Sequence, residues 1–192
     1  MRIAIHVFDG VEELDWVGPW EVFGVWRQLD ETVEQVTVAR EAGVVRCAKG
    51  VEVVPTTSWA ELGPVDLLVY PGGMGTRGHL GDEAVRAWVR DRHAAGTTMA
   101  SVCTGALVYA DAGLLDGRPA TTHWRSLDLL AELGRDIEVR PDDRFVDDGD
   151  VVTASGISAG IDVALHLVAR FAGVERAREV RRNMQYDPEP PV

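Results

Sequence analysis

The chain has 192 residues, with 31 acidic side chains against 19 basic ones and a formal net charge of −12. That length suits one domain with a core of its own, and two cysteines make neither a disulfide framework nor a four-cysteine zinc site. An acidic chain without a Lys/Arg run is unsuited to nucleic-acid phosphates or anionic lipid; no apolar stretch reaches the ~18 residues of a membrane span and no secretory signal opens the chain, so the expected setting is a reducing cytoplasm.

Strand-length apolar runs alternate with helical-period segments, which reads as an α/β fold around a mostly parallel sheet. Arg2 to Phe8 is a first strand, and Pro19 suits the first turn of a helix whose apolar stripe is Val22, Val25, Trp26 and Leu29. Val36 to Ala39 is a second strand. The runs from Val44 to Ala48 and from Val51 to Val54 make a small hairpin about Lys49-Gly50. Asp66 to Tyr70 is a buried strand running into Pro71-Gly72-Gly73, followed by a helix from Asp82 to Ala95 with Val85, Trp88 and Val89 inward. Thr97 to Val102 is the next strand, Thr104 to Ala112 a small-residue helix stopped by Gly113, Ala120 to Thr122 a short strand, and Ser126 to Leu133 a helix. Glu138 to Thr153 alternates around the hairpin signal Asp148-Gly149. A helix starting near Ser158 carries Ile161, Ala164, Leu165, Val168 and Phe171 on one face, and a charged helix from Val174 to Tyr186 precedes a Pro-rich tail at 187–192.

The chemistry concentrates after three of the strands. In Ser101-Val102-Cys103-Thr104-Gly105 a strand ends on a cysteine between small residues and a helix begins at once, the pattern of a nucleophile elbow. The helix N-terminus is expected to lower the Cys103 pKa and favour its thiolate. Cys47, without small neighbours, reads as a buried structural cysteine. Gly72 and Gly73, directly after a strand, are expected to offer one half of an oxyanion-type donor set, with the N–H of Thr104 as the other half. Asp15, in a loop between apolar Leu14 and Trp16, is a carboxyl that burial would turn into a proton carrier, whereas Glu12 and Glu13 read as an exposed acidic pair. His123 is equally suited to lining the pocket and to a structural role. The small-residue turn Ser155-Gly156-Ile157-Ser158-Ala159-Gly160 either walls the pocket or caps a helix. The remaining histidines have no ligand spacing, so neither a metal nor a cofactor is expected. The Arg176, Arg178, Arg181 and Arg182 group, interleaved with Glu175 and Glu179, reads as a solvated helix face.

Taken together, the motifs resemble the PfpI-like superfamily that includes the parkinsonism-associated deglycase, with a fold like the class I glutamine amidotransferases. Within it, the match is to the isonitrile (isocyanide) hydratases. It rests on L-D-x-x-G-P from Leu14, P-G-G from Pro71, S-V-C-T-G from Ser101, A-G-L-L from Ala112, A-T-T-H-W from Ala120, S-G-I-S-A-G-I-D from Ser155 and Q-Y-D-P-E-P-P from Gln185. C-T-G and A-T-T-H-W are also similar to amidase-like domains of AraC-type regulators, which carry a helix-turn-helix domain for which this length leaves no room. The resemblance implies a flavodoxin-like three-layer sandwich and a homodimer. It places the nucleophile on Cys103, the acid on Asp15 and a hydroxyl contact on Thr104.

Peptidase-like members have His directly after the Cys, where this chain has Thr104; amidotransferases supply His-x-Glu after a late strand, where it has Ser155-Gly156-Ile157. Without that base, amide hydrolysis is disfavoured. The reading that follows is hydration of a small neutral isonitrile to a formamide, through a Cys103 thioimidate with Asp15 as acid and then base. Two alternatives share the elbow: glyoxalase or deglycase-like chemistry on 2-oxoaldehydes, and a non-catalytic cysteine redox sensor or ligand-binding protein.

Overall fold

The computed structural model describes residues 1–189, so Pro190 and Pro191 of the expected tail lie outside the described residues. In chain order the strands are β1 (Arg2–His6), β2 (Glu34–Ala39), β3 (Val45–Arg46), β4 (Glu52–Val53), β5 (Thr57–Ser58), β6 (Leu67–Tyr70), β7 (Thr98–Val102), β8 (Pro119–Ala120), β9 (Glu138–Val139), β10 (Phe145–Asp148) and β11 (Val151–Ala154). The helices are α1 (Glu13–Leu29), α2 (Glu83–Ala94), α3 (Gly105–Asp111), α4 (Leu127–Leu133), α5 (Ala159–Ala172) and α6 (Val174–Asn183), with 3-10 turns at Met74–Gly78 and Trp124–Ser126. Seven strands form the main sheet in the order β10-β11-β7-β6-β1-β2-β5, parallel except for the β10–β11 hairpin. Helices α1, α5 and α6 pack together in one layer and α2, α3 and α4 in the other, the expected three-layer arrangement.

The central strands are apolar along their length because both sheet faces are covered: β6 is buried at Leu67, Leu68, Val69 and Tyr70, and β7 at Met99, Ala100, Ser101 and Val102. The β-strand after β1 in sequence lies on one side of it and β6 on the other, so the chain reverses its direction of winding there. Such a switch point leaves a crevice beyond the carboxyl ends of the strands, where α/β proteins hold ligands.

Several expectations are corrected. Pro19 lies well inside α1, which starts at Glu13. It forfeits the helical bond to the Asp15 carbonyl, yet the position suits packing: a Cβ on Gly18 would lie 3.1 Å from Ile161 Cγ1, and one on Gly160 the same distance from Pro19 Cδ. Small residues and a proline thus mark the α1–α5 crossing. Asp15 is consequently on the first turn of a helix and not in a loop. The 120–122 segment does not join the main sheet; β8 pairs with β9 in a separate two-stranded sheet, which also removes Glu138 and Val139 from the β10–β11 hairpin. On α5 the core side chains are Val163, Ala164, Leu167 and Val168, while Phe171 is exposed, because α1, α6 and the β10–β11 strands pack on a different stripe. Leu29, at the end of α1, is exposed too. The strand β5 was not anticipated; two residues are too few to carry a period.

Candidate active site

Three loops converge at the switch point: the start of α1 after β1, the Gly72-Gly73 turn after β6 and the Cys103 elbow after β7. Cys103 has φ = 55°, a conformation that side-chain-bearing residues rarely adopt. The surroundings hold it there. Its N–H is within hydrogen-bonding distance of the carbonyls of Ala154 (3.1 Å) and Ser155 (3.0 Å), and its own carbonyl accepts from Thr122 Oγ1 at 2.7 Å. Two residues on, position 105 must be glycine, since any Cβ on Gly105 would collide with the Tyr70 carbonyl.

Asp15 is fully buried at 0% exposure, and Cys103 is 6% exposed. The Gly72 N–H donates to Asp15 Oδ2 at 2.9 Å, while Oδ1 has no conventional hydrogen-bond partner. Burial pushes the Asp15 carboxyl from 3.8 up to about 7; the Gly72 N–H and the Cys103 thiol oppose that rise, and the Glu12 charge adds to it. The neighbouring thiol is pushed up to about 12, first by burial and then by the Asp15 charge, with the backbone amides of Thr104 and Ile157 pulling the other way. The expected low-pKa thiolate is therefore corrected. Helix α3 has only seven residues, and its terminal amides do not outweigh the loss of solvent. The resting pair at neutral pH is a protonated thiol beside a carboxyl raised into the neutral range.

The oxyanion-type donors are also reassigned. The Gly72 N–H is engaged by Asp15, and the Gly73 N–H donates to Thr104 Oγ1 at 3.0 Å. Thr104, expected as a contact to the reacting molecule, instead ties the glycine turn to the elbow; its hydroxyl lies 3.2 Å from that of Thr76, which donates to the Gly73 carbonyl at 2.8 Å. The turn is tight enough that a Cβ on Gly72 would lie 2.5 Å from the Thr104 nitrogen and 2.9 Å from Asp15 Oδ2. The amides facing the sulfur are those of Thr104 and Ile157.

Ile157 has φ = 42°, unusual for a β-branched residue, and its side chain is 37% exposed at the rim beside Cys103. His123 supports this loop from below: a Cβ on Gly156 would lie 2.6 Å from the imidazole Cδ2. Burial lowers the His123 pKa, and its Nδ1 accepts from the Arg125 N–H at 3.3 Å, so the residue braces the loop as a neutral ring. Leu14 and Val17, on the first turns of α1 either side of Asp15, are partly exposed. Glu12 and Glu13 are not simply solvated. Both grip Lys49 of the β3–β4 hairpin, Glu12 through its ammonium and Glu13 through its backbone N–H at 2.6 Å. Thr76, Thr122 and Lys49 were not singled out from the sequence, because hydroxyls and a turn lysine carry no spacing signal. Cys47 is buried, as expected. The arginines of α6 form an exposed face, with Arg176 paired to Glu179 at 2.8 Å and Arg178 to Glu175 at 2.5 Å. Of the six tryptophans only Trp124, 67% exposed and stacked on His123, presents its ring to solvent; the others are at least half-buried and do not form the exposed tryptophan surface expected from the sequence. Among the described residues, no group of three or more His, Cys, Asp or Glu side chains could hold a metal ion, and no helix is long and apolar enough to cross a membrane.

The fold and the elbow define a flavodoxin-like α/β protein with a cysteine at the switch point of its sheet. The DJ-1/PfpI family model matches residues 1–170, and the chain belongs to that family. It is 38% identical over its whole length to an isonitrile hydratase of Pseudomonas putida, covering 81% of that protein. It is 27% identical to the Drosophila melanogaster protein dj-1beta, with 91% of each chain aligned. A crystal structure of a ThiJ/PfpI family protein from Pseudomonas syringae superposes with a TM-score of 0.90 at 33% identity, covering all of this chain and 77% of that one.

Proposed function

We propose that the protein is an isonitrile hydratase in which Cys103 is the nucleophile and Asp15 the proton carrier. The observation that carries this reading is the fully buried Asp15 carboxyl, poised near neutrality against the Cys103 thiol. The likeness to a hydratase over the full chain supports it. The terminal carbon of an isonitrile needs both a proton and a nucleophile. Protonated Asp15 gives its proton to that carbon as the Cys103 sulfur bonds to it, and the thiol proton passes to the carboxylate so formed. The product is a thioimidate, R–N=CH–S–Cys103, with Asp15 protonated again. Asp15 then protonates the nitrogen while water adds to the carbon and returns a proton to the carboxylate. Collapse breaks the C–S bond, the hydroxyl proton reaches the sulfur through Asp15, and R–NH–CHO leaves.

No step requires a free thiolate, which suits a thiol pKa of about 12. Positioned proton transfer of this kind contributes about 10²- to 10⁴-fold. The amides of Thr104 and Ile157 lie where the sulfur gains negative charge during collapse, and the partly exposed apolar side chain of Ile157 beside the sulfur favours an uncharged substituent. The test is formamide formation from cyclohexyl isocyanide by wild type, Cys103→Ala and Asp15→Asn, with lactate formation from methylglyoxal measured alongside. Loss in both variants is expected; formamide formation that survives Cys103→Ala, or a faster reaction with methylglyoxal, would overturn the assignment.

A further inference from the structure

The first turn of α1, and with it Asp15, is anchored by a part of the chain that the proposed reaction leaves idle. The β3–β4 hairpin docks on the residues leading into α1 through backbone bonds: the Gly10 N–H donates to the Arg46 carbonyl at 2.8 Å, the Ala48 N–H to the Val11 carbonyl at 2.8 Å and the Arg46 N–H to Asp9 Oδ1 at 2.8 Å. Docking brings Lys49, at the hairpin turn, onto Glu12 and Glu13. Its ammonium is hydrogen-bonded to Glu12 Oε1 and lies 3.8 Å from Glu13 Oε2, and its backbone N–H donates to Glu13 Oε1 at 2.6 Å. Both acidic side chains are largely covered, at 16% exposure each. Glu13 Oε2 is buried without a hydrogen-bond donor, so the Lys49 charge is what compensates it.

Glu12 in turn ties the start of α1 to the glycine turn. Its N–H donates to the Gly72 carbonyl at 2.9 Å and its carbonyl accepts from the Asp15 N–H at 3.2 Å, while the Gly72 N–H donates to Asp15 Oδ2 at 2.9 Å. The same backbone bonds that place Asp15 therefore keep the Glu12 carboxylate near it, where its charge disfavours ionisation of Asp15 and the Lys49 ammonium opposes that effect. The other neighbours add no uncompensated charge. The Cys103 thiol on the elbow is protonated, and Asp162, in the first turn of the adjacent α5, is paired with Arg144 at 2.6 Å. We propose that Lys49 is a positioning residue for the proton transfer: bound to Glu12 and Glu13, it offsets the carboxylates beside Asp15 and so sets the pH at which Asp15 gives up its proton. At an effective dielectric between that of a protein edge and that of water, one uncompensated charge at the rim of a buried site moves a neighbouring carboxyl by about 0.5 pH unit.

This inference rests on the reading of Asp15 as the proton carrier, and its test separates the two. Protonated Asp15 opens the reaction, so kcat/KM for cyclohexyl isocyanide falls as pH rises through the midpoint of the carboxyl. In Lys49→Met the bare Glu12 and Glu13 charges favour protonated Asp15, and the fall should move up by about 0.5 pH unit, about threefold in rate on the falling limb. Glu12→Gln removes the repelling charge and should move it down by a similar amount; the double variant should fall between the two, and Lys49→Arg should keep the wild-type limb. A hairpin that is merely loosened lowers the rate at every pH without moving the limb. Carbon-13 NMR titration of the Asp15 carboxyl, the signal absent from Asp15→Asn, reads the same midpoints without any substrate. Lys49 is 63% exposed, and Lys49→Gln serves if the apolar replacement impairs folding. Carboxyl midpoints unmoved from wild type in Lys49→Met and Glu12→Gln, or moved in the same direction by both, would overturn the proposal. Midpoints that separate as expected while no formamide forms would instead overturn the hydratase reading and leave the role of Lys49 in place.

Discussion

Replacing Asp15 by Asn should stabilise the protein in alkaline buffer even as it removes the proposed proton carrier. The native state holds the Asp15 proton more tightly than the unfolded chain, because its carboxyl is raised from 3.8 to about 7 by burial. Stability from this group is therefore complete below about pH 4, falls as pH rises through the interval from 4 to 7, and stays low above it. At 1.36 kcal/mol per pKa unit the whole rise corresponds to about 4 kcal/mol, of which about 1.5 is already lost at pH 5. Between pH 5 and pH 8 the wild type should lose about 2.5 kcal/mol that the neutral Asn variant keeps. Asn can still accept the Gly72 N–H with its amide oxygen, so the shape of the site is preserved. Urea denaturation of both proteins at pH 5, 6, 7 and 8 measures the difference in slope. Parallel stability–pH curves for the two proteins would refute the reasoning, because they would mean that Asp15 titrates at an ordinary value.

The raised Cys103 thiol implies slow alkylation: at pH 8 the iodoacetamide rate should be about a thousandfold below that of an unperturbed thiol and climb tenfold per pH unit to above pH 10, as followed by mass spectrometry; a plateau below pH 9 would contradict it. Thr104→Val leaves the Gly73 N–H without its acceptor and should cost about 1–3 kcal/mol of stability by denaturant titration and lower kcat more than KM, whereas Thr104→Ser should restore both. Gly105→Ala forces a methyl group against the Tyr70 carbonyl, and the expected outcome is misfolded, aggregated protein on expression; a soluble variant with native Tm would show that the elbow relaxes.

The alternation of apolar runs and helical stripes, together with Gly-rich turns, is a local property, and it placed β1, β2, β6, β7 and the β10–β11 hairpin where they stand. The Ser101–Gly105 pattern likewise located the strained cysteine, because the elbow's steric demand falls on its immediate neighbours. Asp15 could be marked as a carboxyl among apolar residues, yet its place on α1 could not, since Pro19 suggested a later start that the α1–α5 contact overrides.

By itself the sequence determined the fold class, the acidic character and the identities of the residues that meet at the switch point. Only the tertiary structure decided what each of them does electrically. The pKa values of Asp15 and Cys103 depend on how much solvent is removed and on which amides point at them, and those are properties of chain segments far apart in sequence. The same reason turned Gly72 and Gly73 from free donors into partners of Asp15 and Thr104, and left His6, one strand away, with nitrogens that nothing in its own neighbourhood of the chain would reveal as unpaired.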